Sequence, residues 1–187
     1  SFQVVENKGR SYMKKVILYI GMSLDGYIAD KDMKVDWMNG DDLNNQESSY
    51  DKFVKSIDTI IMGYTTYHQV INVLAKDNWP YKGIMTYVIT HRLLSNQEEI
   101  IFTNEKLFDL IQRLKKTKGK NIWICGGASI VNQLIRLNLI DEYRITIIPI
   151  ILGAGIKLFE ENNNEIKLKL VARDCYNGMM EICYQKR

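Results

Sequence analysis

Cysteine is scarce: Cys125, Cys175 and Cys183 are the only three in 187 residues, none forms a CxxC pair, and an odd count builds no disulfide framework. That usage suits a reducing compartment, and the expected location is the cytoplasm. An excess of one charge is missing too, since 25 Lys and Arg stand against 22 Asp and Glu and the charges are scattered singly. No basic stripe marks a nucleic acid or a membrane surface, which leaves a small molecule as the expected partner. No apolar run reaches membrane-spanning length, and "SFQVVENKGRSY" at the start lacks the apolar core of a signal peptide. Neither GxGxxG nor GxxxxGK[ST] occurs, so a Rossmann fingerprint and a P-loop are both excluded. The HxE and PCxxC signature of a zinc deaminase is absent, and His68 and His91 make no metal constellation. No metal is expected.

What the chain does have is an apolar content of 46% and a charged content of 25%, enough for one globular domain with a sizeable core. Residues 1–12 read as a leader or a loose arm, and 13–187 as the single domain. Within it, compact runs rich in β-branched and aromatic residues read as strands: 14–23, 58–63, 83–90, 121–127 and 142–152. Between them, 45–56, 65–76, 104–117 and 128–138 space apolar residues three and four apart, as amphipathic helices do. Asn104 is the expected N-cap of the third, with Gly119 ending it. Strand and helix in alternation imply a largely parallel sheet covered by helices. The end differs: "IKLKLVAR" alternates, and Asn177-Gly178 turns the chain into "MMEICYQ", which predicts an antiparallel C-terminal hairpin.

Two strand-to-helix junctions carry the functional reading. In "WICGGASI" a strand runs through Gly126 and Gly127 into a helix start at Ala128 and Ser129. Such glycines either permit a tight turn with close helix packing or leave backbone N–H groups open to a phosphate. "IIMGYTTYHQV" repeats the pattern at Gly63, with Thr65 or Thr66 as the expected cap and a further hydroxyl donor. Two such junctions beside one parallel sheet suggest a dinucleotide lying across it. A third strand end supplies Thr90, His91 and Arg92, where a guanidinium can clamp phosphate or sit solvated in a loop.

These residues, with "MSLDGYIA" at 22–29, "VDWM" at 35–38, "IMGYTTY" at 61–67, "WPY" at 79–81, "YVITHR" at 87–92, "CGGASI" at 125–130 and "DEYRITIIPIILGAGIKLF" at 141–159, occur in one order. In that order the chain resembles the dihydrofolate-reductase-like superfamily and, within it, the C-terminal reductase domain of the bifunctional riboflavin biosynthesis protein and its stand-alone relatives. The likeness runs over about residues 13–187. It implies a three-layer αβα fold of the α/β class, with a mostly parallel central sheet and the C-terminal antiparallel hairpin. It implies NADPH as cofactor: diphosphate on Gly126, Gly127, Ala128 and Ser129, further contacts at Gly63, Thr65 and Thr66, and the 2′-phosphate near Thr90, His91 and Arg92. The turn from Ser23 to Gly26 is implied to lie beside nicotinamide and substrate. Asp25 is then the candidate proton source, with Ser23, Asp36 and Trp37 as substrate contacts; an Asx-turn and ordinary packing are the alternative uses of Asp25 and Trp37.

Some positions depart from the family pattern. Tyr64 stands where an arginine commonly follows the glycine, Tyr19 where the first strand usually carries lysine, and Cys125 where an acidic residue usually precedes the glycine-rich turn. The expected function is an NADPH-dependent reductase of a small heterocyclic or carbonyl-type substrate, of the riboflavin-pathway type that reduces 5-amino-6-(5-phosphoribosylamino)uracil. The alternatives are a dihydrofolate or pterin reductase and a non-catalytic NADP-binding sensor. A homodimer is expected, burying part of 143–160 or the final hairpin, because an apolar sheet edge invites pairing.

Overall fold

The computed structural model describes residues 13–40, 49–75 and 78–187. The expected arm at 1–12 and the first part of the expected helix at 45–56 lie outside the described residues. An eight-stranded sheet forms the centre, in the order β5-β4-β3-β6-β1-β7-β10-β9. Its strands are β1 (Val16–Ser23), β3 (Ile57–Gly63), β4 (Met85–Ile89), β5 (Ile100–Thr103), β6 (Asn121–Gly126), β7 (Glu142–Ile148), β9 (Leu168–Tyr176) and β10 (Met179–Lys186). A separate short pair joins β2 (Tyr27–Ala29) to β8 (Ile156–Lys157). All pairings from β5 to β7 are parallel, while β10 runs antiparallel to both β7 and β9.

Strand alternation sorts the core into two layers. From β1, β3 and β6, Leu18, Ile61 and Ile124 face α3 (Leu107–Lys115) and α4 (Ala128–Arg136), meeting Leu110, Ile111, Val131 and Leu134. Their neighbours Ile17, Ile60 and Trp123 point the other way, toward Phe53 of α1 (Tyr50–Lys55) and Tyr67 of α2 (Tyr64–Gln69). A period of two along each strand therefore produces the three layers. Truncating any one fully buried leucine here would cost about 2–5 kcal/mol.

Several local expectations need correction. The third helix takes Lys106, not Asn104, as its N-cap and has no side-chain cap bond. The residues just before it, Ile100–Thr103, form edge strand β5, too short and too little buried to alternate visibly. The helix expected over 65–76 begins at Tyr64 and ends in a π-helical turn, Val70–Leu74. The run read as one strand over 142–152 stops at Ile148, because Pro149 has no N–H to continue the ladder. Strand β7 is also internal, flanked by β1 and β10, so the apolar edge expected there is covered. The edge on that side of the sheet is β9, exposed along most of its length, with Leu170 46% exposed. At the hairpin tip Asn177 and Gly178 have φ of 50° and 70°, the paired positive values of a type I′ turn. No helix among the described residues is long and apolar enough to cross a membrane.

One buried polar side chain ties α4 to the chain beyond β8. Asn132 is fully buried; its Nδ2 donates to the carbonyls of Ala128 and Leu158 at 2.7 and 2.8 Å. Its Oδ1 accepts from the Glu160 amide at 3.0 Å and from Asn163 Nδ2 at 2.6 Å. Asn132→Leu, similar in size, would strand the Leu158 carbonyl and the Glu160 amide. The expected loss is roughly 2–4 kcal/mol in urea unfolding with an unchanged m value.

Candidate functional site

Strands β3 and β6 are parallel neighbours that end side by side, with Met62 opposite Gly126. Each then turns into a helix through glycine. Gly63 is the N-cap of α2 and Gly127 the N-cap of α4, and neither helix has a side-chain cap bond. Thr65 and Thr66, expected as caps, instead stand in the first turn of α2. Gly126 has φ of 123°, a conformation that side-chain-bearing residues rarely adopt, and the Gly126–Gly127 peptide is cis. A Cβ on Gly63 would lie 3.4 Å from Ile130 Cγ1, and one on Gly127 would lie 3.5 Å from Thr66 Oγ1. Bare backbone thus meets bare backbone, and the unpaired first N–H groups of α4 open toward the cleft.

That cleft measures about 900 Å³. Gly63, Thr65 and Thr66 line it from the first junction, Gly127, Ala128 and Ser129 from the second, and Thr90 and His91 from the end of β4. Gly126 lies behind Gly127. Arg92 stands beside the lining, its guanidinium carbon 4.7 Å from the centroid of the Tyr64 ring, while its amide donates to Thr90 Oγ1 at 3.1 Å. The residue that replaces the family's usual arginine thereby supports the arginine that remains.

The four residues expected around the substrate do not line the cleft. Ser23 is fully buried; its hydroxyl donates to Asp25 Oδ1 at 2.6 Å and accepts the Tyr27 amide at 2.9 Å. Asp25 also accepts the amides of Leu152 and Gly153 at 3.1 and 2.8 Å, fastening the turn at 23–26 to the loop after β7. The Ser23 hydroxyl first, then the Gly153 and Leu152 amides, hold this carboxyl below the usual aspartate range. Asp25 thereby latches the turn to that loop. Asp36 is exposed, and Trp37 Nε1 donates to the Lys34 carbonyl at 3.0 Å. Their neighbours Val35 and Met38 face the cleft instead. The "VDWM" motif marks the right place through its other two residues.

The floor is aromatic. Tyr19, Tyr50, Tyr81 and Trp123 line it, with the rings of Tyr50 and Tyr81 set edge-on to Trp123 at centroid distances of 6.1 and 5.3 Å. Trp123 Nε1 donates to the Tyr19 carbonyl at 2.9 Å, fixing β6 to β1 at this level. Behind Tyr19 sits Glu181, 5% exposed, accepting from the hydroxyls of Tyr19 at 2.9 Å, Ser49, and Tyr176 at 3.4 Å. Burial pushes the Tyr19, Tyr50 and Tyr81 hydroxyls above the ordinary tyrosine value and the Cys125 thiol up to about 12. These groups are neutral at physiological pH. Sequence reasoning flagged Tyr19 and Cys125 only as departures; Tyr50, Tyr81, Trp123 and Thr146 were missed, because strand and helix periodicity marks core and cleft positions alike.

A family model described as the RibD C-terminal domain matches residues 14–179. The protein YwjB of Bacillus subtilis (strain 168), itself uncharacterised, is 40% identical over 173 residues, covering 91% of this chain and 97% of that protein. A crystal structure of a Shewanella sp. PV-4 protein assigned to riboflavin biosynthesis superposes with a TM-score of 0.81 at 27% identity, over 92% of this chain and 99% of the other. Dihydrofolate reductase from Enterococcus faecalis, complexed with NADP(H), shares the fold at a TM-score of 0.67 and 16% identity, over 94% of this chain and 98% of that one.

The latch has a pH signature. Because the folded Asp25 value is depressed, its stabilisation is complete above the unfolded value of about 3.9 and is lost as pH falls through the folded value. Asp25→Asn should lower Tm at pH 7 and speed amide exchange at Leu152 and Gly153. The Tm gap to wild type should narrow as pH falls below that unfolded value and close once pH is below the folded value as well, and a gap that persists below both would contradict a latch made by the charged form.

Proposed function

The chain belongs to the RibD C-terminal domain family, reductases built on the dihydrofolate-reductase fold, and from that premise we propose that it is an NADPH-dependent reductase of a small heterocyclic or carbonyl-type substrate. The observation that carries this reading is the pair of glycine junctions opening onto one cleft with an aromatic floor. A dinucleotide needs close backbone approach for its phosphates and an apolar face for its ring, and this cleft offers both.

The residues present fit the cofactor. A Cβ at Gly126 or Gly127 would stand in the cradle beside Thr66, and the uncapped start of α4 favours negative charge. Gly127, Ala128 and Ser129 would hold the diphosphate, with Gly63, Thr65 and Thr66 assisting. Arg92, braced on the Tyr64 ring with Thr90 and His91 alongside, would take the 2′-phosphate. When bound, NADPH supplies the hydride. The chain's own task is to orient a substrate over the floor, exclude water with Met38 and Ile148, and present neutral hydroxyls for hydrogen bonding. Asp25 takes no part in proton transfer in this reading; it shapes the wall by holding the loop at 152–153.

Gly127 has φ of −81°, so a valine there suits the backbone while filling the cradle. Gly127→Val should abolish the thermal shift produced by NADPH and leave a cooperative unfolding transition; an undiminished shift would remove the central argument. Arg92→Ala should weaken NADPH by roughly 10- to 100-fold, the worth of hydrogen bonds to a charged group, and NADH far less. Equal losses by calorimetry would move the 2′-phosphate elsewhere. Oxidation of NADPH followed with candidate substrates then separates turnover from binding alone.

A further inference from the structure

Resting on the reductase reading, we infer that the floor of the cleft selects a flat, uncharged conjugated ring and rejects the same ring carrying a phosphate or carboxylate. Among the described residues lining the cleft there is no lysine or arginine. The one imidazole of the lining, His91, belongs to the end of β4 beside Arg92, away from the floor.

Glu160 is the carboxylate of the lining and pairs with Arg136 at 3.3 Å, and charged groups behind the floor are engaged with protein partners. Arg144 donates from Nε to Glu142 at 2.7 Å, and its guanidinium carbon lies 5.7 Å from the Phe53 ring centroid. Glu181 is buried behind Tyr19 and held by three hydroxyl groups, those of Tyr19, Ser49 and Tyr176. A phosphate brought to this floor would shed its hydration without meeting a counter-charge, and a buried unpaired anion is strongly disfavoured.

A neutral ring meets the opposite conditions. Gly21 of β1 presents bare backbone on the floor, with Met38 Sδ and Ile148 Cδ1 packed close by, 3.5 and 3.7 Å from where its Cβ would be. The Met38 thioether and the edge-on rings of Tyr50, Tyr81 and Trp123 make an apolar surface suited to a planar guest. Its polar rim, Thr146, Tyr50 and Tyr81, consists of hydroxyls that both donate and accept. Such groups match the alternating C=O and N–H edge of an uncharged heterocycle. The side chains at 19 and 125 remove charge at the two positions where the family pattern would supply a cation and an anion.

The test uses the full chain in titration calorimetry with two matched pairs, pterin against pterin-6-carboxylate and uridine against uridine 5′-monophosphate, each with and without saturating NADP+. The expected result is binding of the neutral member of each pair at least tenfold more tightly than its anion. Tyr50→Ala and Tyr81→Ala should each weaken pterin at least fivefold, and by a larger factor than they weaken NADP+. If NADP+ binds but the anionic members bind as well as the neutral ones, or pterin does not bind at millimolar concentration, this inference is overturned and the reductase reading stands. Failure to bind NADP+ at all overturns the reductase reading, and the inference with it.

Discussion

Parallel pairing of β3 with β6 is the constraint from which the rest of the site follows. Because the two strands stop at the same level, the chain leaves both through helices that start side by side, and glycine at both junctions keeps the space between them open. The close spacing puts Gly63, Gly127 and Thr66 within contact of one another and opens the first N–H groups of α4 to the same space. A bulky residue at any of these points would fill the cradle before a ligand did. The core supports this from below: Ile61 and Ile124 fix the two strands against α4 through Val131 and Leu134.

The charges around the cleft are spent on architecture. Asp25 is saturated by a hydroxyl and two amides, and Glu181 by hydroxyls of α1's entry, β1 and β9. One fastens a loop beside the cleft and the other anchors the floor from behind. The floor itself, Tyr19, Met38, Tyr50, Tyr81, Trp123 and Thr146, is aromatic, sulfur-bearing or hydroxylic, a surface for shape, stacking and neutral hydrogen bonds.

Much of the fold was legible because its signals are local and repeated. Alternation at Ile17 and Leu18, Ile60 and Ile61, Trp123 and Ile124 shows on which strands both faces are buried, and Asn177-Gly178 specifies its own turn. The edge strand β5 and the β2–β8 pair were not legible, since two to four residues cannot establish a period. At the site, the glycine junctions were readable because missing side chains leave a mark in sequence. The floor was not: Trp123 and Thr146 have the pattern of ordinary core residues, and only the arrangement of α1 and the loop at 79–81 over the sheet leaves a cleft above them. The bonds that Asp25 makes to the loop after β7 were not legible, because its partners at 152 and 153 lie more than a hundred residues away in sequence.

The division of labour across the cleft also bears on how such a protein changes over generations. One half is made of main chain, and its requirements fall on a few small residues at strand ends. The other half is made of side chains carried on β1, β6, β7 and α1, each standing on a strand or helix whose backbone needs no adjustment when the side chain is exchanged. Substitutions at 19, 125 or 146 can therefore accumulate without disturbing the cradle, and lineages can diverge at the floor while inheriting the same glycine junctions.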